Sequence, residues 1–586
     1  MTISPRRSSS WLPGVCIVAG CLGCGGQSFA QSYPRIAPKP PPAPAPAVIA
    51  LPPAGAPAPA STRVILPALK GLVFVPGLRA LHNTGLPPSS AGANGLAFQN
   101  LPLLDQPGFI RQAAPAIGRP VTLAGLDKIA AAVRHWYRTQ GRPFVDVTVP
   151  PQNITSGMVQ VVVTEYRVGQ VTVAGNRWFP GALLRRESGL APGQTLNLPG
   201  IQTDLDWLNQ NPFRHVDAAF QPGTEPGLTN VILQTRDRLP FRAYAGYDNQ
   251  GVPSLGRNEW NVGFTWGNAF GLDQLLSYQF TRAFSGRFTG HALIWSIPLP
   301  WRDTVEVFGS YEQETPSVAS GFDESGQSGQ ASLRYIHPLP GPSWLHQQIA
   351  FGYDYKTTNN NLAFGGVTVF ASQAEVDQFP FIYSATETDP LGRTGFDNHF
   401  VVSPGGMTGA NTDAAAAQIV PGAAAHYVYD RFGLTRTTLL PKGFTSVSRI
   451  VVQLSDHNLL DSEQLAAGGL GSVPGYATDS ALGSEGEMIG EEIRLPPFRP
   501  ARLFHLPLPL VDQAQFGVFW DYADLYQVHS IPDLPSRVDL ASTGIELRYD
   551  VGRYASLDFA VGWQLRAAPG IDKRGAFGDF SITFGL

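Results

Sequence analysis

The sequence contains no long hydrophobic run and no cysteine beyond its first thirty residues. After residue 30, no apolar stretch approaches the roughly 20 residues that a transmembrane helix needs, so a helical membrane protein is excluded. The three cysteines are Cys16, Cys21 and Cys24. If the N-terminal segment that holds them is removed, the mature chain has no thiol. Disulfide frameworks, metal–thiolate sites and cysteine nucleophiles are then excluded as well.

Charge is sparse, and the sequence has neither a basic excess nor a catalytic motif. Charged residues form 15% of the chain, and losing Arg6 and Arg7 from its 41 basic residues leaves 39 against 45 acidic ones, a net charge of −6. Such a chain lacks the basic surface that nucleic acid requires. The eleven histidines are scattered, and no Gly-x-Ser-x-Gly motif or nucleophile–base pair stands out. We expect a protein that is not an enzyme, with no catalytic residue, metal ion or cofactor.

The N-terminus has the features of a secretory leader. Two arginines precede the apolar stretch Trp11–Leu22 and a small-residue end at Ala30, which predicts a signal peptide over residues 1–30. An alternative stays open, because Val18–Cys21 also resembles a lipoprotein signal whose cysteine is acylated.

Residues 31–61 predict a linker. The segment is dominated by Pro and Ala, as in Pro38–Pro46, which favours extended polyproline geometry and offers little that can form a core. Prolines at this density also disfavour a helix. We therefore expect an extended spacer that proteases cleave readily and that folding does not need.

Residues 62–165 and 166–239 each predict a small α+β unit. In the first, Thr122 can cap a helix whose apolar face is followed by alternating strands. In the second, a strand near Val168 leads to a helix that closes on a turn. The helix face of the first unit is Leu126, Ile129, Ala130, Val133 and Tyr137, and the turn of the second is Asn211, Pro212, Phe213 and Arg214. An exposed edge of such a sheet can bind an extended peptide through its backbone.

From residue 240 to residue 586 the helical periodicity disappears, and segments of about ten residues alternate in polarity, as in a transmembrane β-barrel. Phe559 and Trp563, for example, share an apolar face, while Asp558 and Gln564 lie on the polar one. Aromatic residues near strand ends favour lipid over a soluble sandwich. Sixteen strands are predicted, an even number as in single-chain bacterial barrels, near residues 241–249, 257–268, 272–283, 286–297, 303–313, 327–337, 345–355, 376–386, 393–402, 424–437, 446–455, 486–495, 514–523, 538–550, 554–565 and 576–586.

Strand parity gives the predicted topology. If the two small units lead into the first strand from one side, the connection after every odd-numbered strand lies on the other side. The long segments 356–375, 403–423 and 456–485 all follow odd-numbered strands. All three are therefore expected on the side away from the two units.

The stretch from Ser462 to Arg494 contains the most distinctive connection. It is longer than the roughly 12 to 15 residues beyond which loops are usually functional or disordered. Its glycines could equally serve turns that need positive φ, as in any surface loop. The residues of interest are Gly468, Gly469, Val473, Pro474, Gly475 and Tyr476 in the loop, and Phe519 and Asp521 in a later strand.

Several of these segments resemble the two-partner secretion transporters of the haemolysin secretion/activation type. Gly141–Phe144 and Val149–Gly157 are similar to the first POTRA domain of that family, and the Asn211–Arg214 turn is similar to part of the second. POTRA domains are periplasmic modules that receive unfolded client chains. The loop from Ser462 to Tyr476 resembles the family's lid, which folds into the barrel lumen.

The charged contact of the lid departs from the family pattern. The family's lid carries Val-Arg-Gly-Tyr, and its arginine meets the aspartate of a Phe-x-Asp-x-Gly strand. Here Pro474 replaces that arginine and Ala523 replaces the glycine, while Phe519 and Asp521 are kept. Since a buried carboxylate without a partner is costly, we expect another cation such as Arg494, or water, to reach Asp521, unless the lid sits elsewhere.

The resemblance implies two POTRA domains followed by a 16-stranded antiparallel transmembrane β-barrel with an inward-folded lid, placed in the bacterial outer membrane with the POTRA domains in the periplasm. It implies a transporter that captures an unfolded exoprotein and secretes it without ATP. The implied partners are the exoprotein, outer-membrane lipid and, during biogenesis, the barrel assembly machinery; we expect a monomer that does not bind nucleic acid. Alternatives are an insertase for other barrels, which tends to carry more than two POTRA units, and a degenerate transporter or porin.

Overall fold

The computed structural model of the protein describes residues 32–41, 47–50, 61–92, 94–317, 322–342, 344–364, 367–503, 505, 510–530, 535–567 and 575–586. The predicted signal peptide, with Cys16, Cys21 and Cys24, lies outside these residues. None of the helices in the described ranges is both long and apolar enough to cross a membrane.

A short helix and a two-residue strand precede the first small unit. Helix α1, Ser32–Ile36, lies inside the barrel, where Tyr33 and Ile36 are fully buried against Phe288 and Phe308. Strand β1, Ile49–Ala50, joins the sheet of the second unit. The expectation of a spacer without a helix is therefore wrong.

The difference has a local cause. Pro34 is the third residue of α1, and its missing N–H costs nothing there because the first helical turn has no intrahelical acceptor for it. The dense prolines begin at Pro38, beyond the helix end. So short a helix is marginal by itself, and the burial of Tyr33 and Ile36 stabilises it.

The first unit is a four-stranded sheet covered by helices. Its sheet has the order β4-β3-β7-β6, with β3 parallel to both β4 and β7. As predicted, Thr122 caps α3 by accepting a hydrogen bond from Gly125 N at 2.9 Å, and the apolar face of the helix packs on the sheet. The elements are β2 Val64–Leu66, β3 Gly71–Pro76, β4 Leu96–Phe98, α2 Pro107–Ala113, β5 Val121–Thr122, α3 Leu123–Thr139, β6 Val145–Thr148 and β7 Met158–Glu165.

The second unit repeats this scheme with one addition. Its elements are β8 Arg167–Ala174, α4 Gly181–Glu187, α5 Leu198–Leu208, β9 Arg214–Pro222 and β10 Leu228–Asp237. The sheet order is β1-β9-β10-β8, in which β9 and β10 are antiparallel while β1 runs parallel to β9. Residues 49–50 of the chain thus cover part of the β9 edge.

The C-terminal part is a closed barrel of sixteen antiparallel strands, as predicted, in which β28 pairs with β11. A small hairpin, β22 Leu465–Ala467 and β23 Ala481–Gly483, and two short helices, α6 Asp413–Ile419 and α7 Pro500–Leu503, lie in the connections. The barrel strands are β11 Phe241–Asp248, β12 Glu259–Ala269, β13 Gln274–Ala283, β14 Phe288–Pro298, β15 Thr304–Glu314, β16 Phe322–Leu339, β17 Leu345–Phe364, β18 Val367–Asp389, β19 Gly392–Pro404, β20 His426–Leu439, β21 Thr445–Ser455, β24 Glu485–Arg494, β25 Asp512–Tyr526, β26 Arg537–Val551, β27 Ala555–Gln564 and β28 Ala576–Gly585.

Three strands extend well beyond their predicted ends. β16, β17 and β18 contain 18, 20 and 23 residues, so most of the segment 356–375 is strand rather than the expected loop. Thr357 pairs with Glu375, and Asn361 pairs with Ala371. Asparagine is poor in strands, and this segment has no alternating apolar face, so neither propensity nor periodicity signals a strand here.

Side chains of the barrel strands alternate between lipid and lumen as predicted. On β27, Phe559 and Trp563 point outward and are 37% and 46% exposed, while Ala560 between them is 1% exposed. On β28, Phe584 is exposed and Asp579 is buried. The outward face forms an apolar surface, and the inward face is polar.

Candidate functional site

The long connection after β21 folds inward and packs against the barrel wall. Within residues 456–484, β22 and β23 form a small hairpin. Val473 and Tyr476, which lie between these two strands, are buried against Leu525 and Leu540 of the wall. The predicted inward course of this loop is confirmed, and residues 456–484 are called the lid below.

Two glycines allow the lid to fold back on itself. Gly468 and Gly469 have φ values of 120° and 80°, a region that glycine adopts readily and other residues avoid. Gly469 N donates a hydrogen bond to the Tyr476 carbonyl at 2.9 Å, which closes the loop around its tip. A Cβ at Gly468 would collide with the Ala477 carbonyl.

The tip of the lid, Pro474–Gly475, lies directly on β27. A Cβ at Gly562 would collide with the Pro474 carbonyl, so the wall needs a glycine at this point. Gln564 Nε2 donates to the Gly475 carbonyl at 2.7 Å, and Gly475 N donates to Asp579 Oδ2 at 3.2 Å. The tip is therefore held through its backbone and not through a charged side chain at position 474.

Tyr476 anchors the lid next to its tip. Its ring is fully buried. Its hydroxyl donates to the Arg566 carbonyl at 2.7 Å and accepts from Arg566 N at 3.2 Å. These bonds give the buried hydroxyl the partners that it needs.

The base of the lid is fixed by Glu463, which is 1% exposed. Lys356 Nζ lies 2.5 Å from Glu463 Oε1, and Gln378 Nε2 and Tyr429 Oη donate to Oε2 at 2.9 and 3.2 Å. These partners come from β17, β18 and β20. A buried carboxylate with three donors is well satisfied, so the lid base is tied to three strands at once.

Asp521 does not contact the lid through the expected cation. It lies on β25 beside buried Phe519, is 2% exposed, and its Oδ2 accepts no hydrogen bond from any residue in the described ranges. Arg494 pairs with Glu492 instead, so the expectation that Arg494 reaches Asp521 is wrong. Arg449 exerts an attractive charge on Asp521 without hydrogen bonding to it.

Helix α1 occupies the lumen below the lid. Arg35 lies 4.1 Å from the centre of the Phe288 ring and within electrostatic reach of Glu259, Glu314 and Asp479, of which Asp479 belongs to the lid. The chain then runs along β11, where Lys39 N donates to the Tyr244 hydroxyl at 2.8 Å. The N-terminal segment is thus a plug, defined here as residues 32–41.

A cavity of about 350 Å³ separates the plug from the lid. Arg35, Glu314 and Lys356 line it together with Asp461 and Asp479 of the lid. Across the described part of the chain, no group of three or more His, Asp or Glu residues is arranged to hold a metal ion. The cavity thus brings charged residues of the plug, the barrel wall and the lid around one space with a mixed polar and apolar lining.

The Asn-Pro-Phe-Arg turn docks the second unit on the barrel. Arg214 donates to both oxygens of Asp273, with an Nη2–Oδ2 distance of 2.6 Å. Asn211 Nδ2 donates to the same carboxylate at 2.7 Å and to the Gly267 carbonyl, and Phe213 packs on Gly267 so closely that a Cβ there would collide with its ring. The Arg214 side chain is 1% exposed, which makes this a buried bidentate ion pair.

Further contacts surround this joint. The Pro212 carbonyl accepts a hydrogen bond from Arg238 Nη2 at 3.0 Å. Arg302, from the β14–β15 connection, pairs with Asp204 of α5. All four residues predicted for the turn are thus brought together at the junction between the second unit and the barrel.

The joint holds two carboxylates around one guanidinium. Glu187 Oε2 lies 3.6 Å from Arg214 Nη2, the same nitrogen that donates to Asp273 Oδ2. Burial, reinforced by the charge of Asp273, raises the pKa of the Glu187 carboxyl to about 8. Near neutral pH the Glu187 carboxyl therefore tends to be protonated.

We expect docking of the second unit to weaken as the pH rises from about 5 to about 8. Because the folded pKa of Glu187 lies above its ordinary value of 4.5, its stabilising contribution is complete below that value and is lost as the pH rises through 8. Hydrogen exchange of residues 181–214, corrected for the intrinsic rate, should show protection falling roughly tenfold or more. In Glu187→Gln the fall should be much smaller and should be confined to the part due to Asp204, whose pKa burial raises to about 6. Equal pH dependence in both proteins contradicts the assignment.

Restoring the missing lid arginine should reveal whether Asp521 is available. In Pro474→Arg, a charge-assisted bond from the new guanidinium to Asp521 should stabilise the barrel by roughly 1.5–3 kcal/mol. The temperature at which the folded form disappears in gel electrophoresis should rise accordingly. The gain should be absent in the Pro474→Arg/Asp521→Ala protein, and a gain that persists there would place the arginine's partner elsewhere.

Some of these residues were not identified from the sequence. Glu463 lies in the loop that the sequence predicts, but nothing in the sequence shows its contacts. Lys356 begins the segment 356–375, which was expected to be a loop, so its place on the luminal wall gave no signal. The pairing of Asp273 with Arg214 was not predicted, because the two residues lie far apart in the sequence. Arg35 was not identified because the Pro- and Ala-rich composition of residues 31–61 predicted an extended linker without buried contacts.

Comparison with known families identifies two regions of the chain. Residues 227–522 match the family described as haemolysin secretion/activation protein ShlB/FhaC/HecB. Residues 94–165 match the POTRA domain of the ShlB type. The two matches fall on the barrel with the end of the second unit and on the first unit, respectively.

Individual relatives show similarity along most of the chain. The heme/hemopexin transporter protein HuxB of Haemophilus influenzae (strain 86-028NP) is 22% identical over 460 residues, which cover 75% of this chain and 77% of HuxB. The outer membrane transporter CdiB of Dickeya dadantii is 21% identical over 480 residues, covering 80% and 82%.

Solved structures show the same fold. CdiB from Escherichia coli superposes with a TM-score of 0.71 at 18% identity, covering 91% of this chain and 93% of CdiB. CdiB from Acinetobacter baumannii gives a TM-score of 0.60 at 15% identity, covering 90% and 91%.

Proposed function

Because the chain belongs to the haemolysin secretion/activation family ShlB/FhaC/HecB and is an outer-membrane two-partner secretion transporter, we propose that it captures an unfolded exoprotein on its periplasmic units and passes it outward through the barrel. The observation that carries the proposal is the position of the second unit against the mouth of a polar lumen. Arg214 fastens this unit to the barrel, and the lumen holds the plug and the lid. In this proposal both elements leave the lumen when the client passes.

The capture site in this proposal is the β9 edge of the second unit. β9 has nine residues, and among the described residues only Ala218 and Ala219 pair with β1 on its outer side. The remaining backbone groups on that side can pair with any extended peptide. Residues 49–50 already pair there in parallel, and Ala47 and Ile49 pack on the core of the unit. A client with small apolar residues at alternate positions would fit the same groove and displace this short strand.

The domain division and the roles of the lid and turn residues belong to the same proposal. Residues 62–165 and 166–239 act as two POTRA domains, and residues 240–586 form the pore. Gly468, Gly469, Val473, Pro474, Gly475 and Tyr476 position the lid, with Phe519 and Asp521 on the wall beside it. Asn211, Pro212, Phe213 and Arg214 keep the capture edge below the pore entrance.

The finer statements about partners are also proposals. The outward apolar face, including Phe351, Phe381, Trp520 and Phe584, each more than 40% exposed, would contact outer-membrane lipid. Barrel assembly machinery would insert the chain. The lumen is enclosed by a single chain, so a monomer suffices for transport and no catalytic step is required.

Blocking the β9 edge tests the capture site. Ala218 N donates to the Val48 carbonyl at 3.2 Å, so this N–H points away from β10. Ala218→Pro should remove the edge donor while leaving the β9–β10 pairing intact, since proline is tolerated where the N–H faces outward from an edge strand. Exoprotein in the medium should fall severalfold, whereas Ala218→Ser, which keeps the N–H donor and nearly the same volume at this buried position, should secrete normally.

Removal of both units is the stronger version of this test. A chain without residues 62–238 should still form the heat-modifiable barrel but should release no exoprotein. Undiminished secretion by that chain, or by Ala218→Pro, would overturn the proposal that these units capture the client.

A further inference from the structure

We propose that Asp579 and Gln250 are positioning residues that fasten the lid across the seam between the first and last barrel strands, in place of the Asp521 contact. The inference rests on the proposed function only in treating residues 456–484 as a lid that moves. It concerns a different part of the wall from Asp521, on β28 and the turn after β11.

Two lid backbone groups bind this pair of side chains. Gly475 N donates to Asp579 Oδ2 at 3.2 Å, and Leu470 N donates to Gln250 Oε1 at 2.8 Å. Gln250 Nε2 in turn donates to Asp579 Oδ1 at 3.1 Å. Both oxygens of the carboxylate and both polar atoms of the amide are therefore engaged in one network.

This network spans the seam where the barrel closes. β11 and β28 share only five register pairs, from Tyr244 opposite Gly585 to Asp248 opposite Ser581. Beyond them, Asn249 continues the contact by donating to the Gly578 carbonyl at 2.8 Å and accepting from Phe580 N at 2.8 Å. Gln250 follows directly on one side of the seam and Asp579 lies on the other, so a lid bound to both bridges the seam.

Burial and charge favour Asp579 over Asp521 as the anchor of the lid. Both carboxylates are almost fully buried, at 1% and 2% exposed. Asp579 accepts bonds on both oxygens, whereas Asp521 Oδ2 accepts none from the described residues. Because hydrogen bonds to a charged acceptor are the strong ones, the lid loses more when Asp579 is removed than when Asp521 is removed.

A single spin label on the lid tests the proposal without a client. Residues 31–586 contain no cysteine, and a Cβ at Gly471 has no atom within 4 Å. A nitroxide on Gly471→Cys in a chain that begins at residue 31 therefore reports lid mobility with little disturbance. Asp579→Ala and Gln250→Ala should each raise the ratio of mobile to immobile label by about tenfold or more, which corresponds to about 1.4 kcal/mol. Combining them should add little, because both changes break one network.

Two matched variants separate positioning from general damage. Asp579→Asn keeps an acceptor for Gly475 N and should retain most of the immobile signal, while Asp521→Ala should leave the spectrum unchanged. Each variant is first checked for the heat-modifiable barrel. If Asp579→Ala does not form it, the test rests on Gln250→Ala, which removes only a neutral side chain. A rise in the mobile fraction of the label in Asp521→Ala, or an unchanged spectrum in Gln250→Ala, overturns the proposal. Because no exoprotein is present, failure here is distinct from failure of secretion.

Discussion

Replacing Arg214 by alanine should undock the second unit and abolish secretion. The change leaves the buried Asp273 carboxylate without its guanidinium and removes the bond that Arg214 Nε donates to the Leu208 carbonyl at 2.6 Å. Breaking a buried ion pair from one side typically costs about 3–5 kcal/mol. Exoprotein in the medium should fall below about a tenth of the wild-type amount, while the barrel remains heat-modifiable.

The matched control is Arg236→Ala on the neighbouring strand. Arg236 pairs with Asp217, but its side chain is 74% exposed, and surface pairs contribute roughly 0–1 kcal/mol. This variant should secrete normally. Equal loss of secretion in the two variants would mean that general weakening of the second unit, rather than its joint with the barrel, limits transport.

Reversing the charge of Arg35 should open the pore. In the wild type, Glu259, Glu314 and Asp479 attract the Arg35 guanidinium of the plug. Arg35→Glu replaces this attraction by repulsion and removes the contact with the Phe288 ring. Two unit charges about 4 Å apart interact by about 4 kcal/mol at an effective dielectric constant of about 20. A fraction of this repulsion suffices to raise the open probability of single pores in planar bilayers about a hundredfold.

Arg35→Lys provides the control for this experiment. This variant loses the planar stacking of the guanidinium on Phe288. Because it keeps the positive charge, its open probability should still lie close to that of the wild type. Pores that remain closed in Arg35→Glu would show that apolar burial of Tyr33 and Ile36 alone holds the plug.

The barrel was predictable because lipid and lumen impose alternation on each strand. On β27 and β28 the sequence pattern predicted the direction of individual side chains correctly, since Phe559, Trp563 and Phe584 face outward and Asp579 faces inward. The extended part of β17 and β18 was not, because Asn361 and its neighbours lie where no apolar face is required. Periodicity reports the environment of a strand and fails where that environment is polar on both faces.

The candidate site was predictable only in its motifs. The lid residues and the Asn211–Arg214 turn were identified from the sequence, but their partners Asp579 and Asp273 were not, since each pair is far apart in the sequence. The plug was missed for a different reason. Its helix is five residues long and is stabilised by burial, which neither proline content nor helix propensity reports.

Cross-linking from neighbouring wall residues tests passage through the lumen most directly. Ser310 on β15 lines the luminal cavity, whereas the next residue, Tyr311, is 42% exposed on the opposite face. A photoreactive group attached to a cysteine at Ser310 should cross-link to the exoprotein during secretion, and the same group at Tyr311 should not. Cross-links from Tyr311 alone, or active secretion with no cross-link from Ser310, would contradict transport through the barrel.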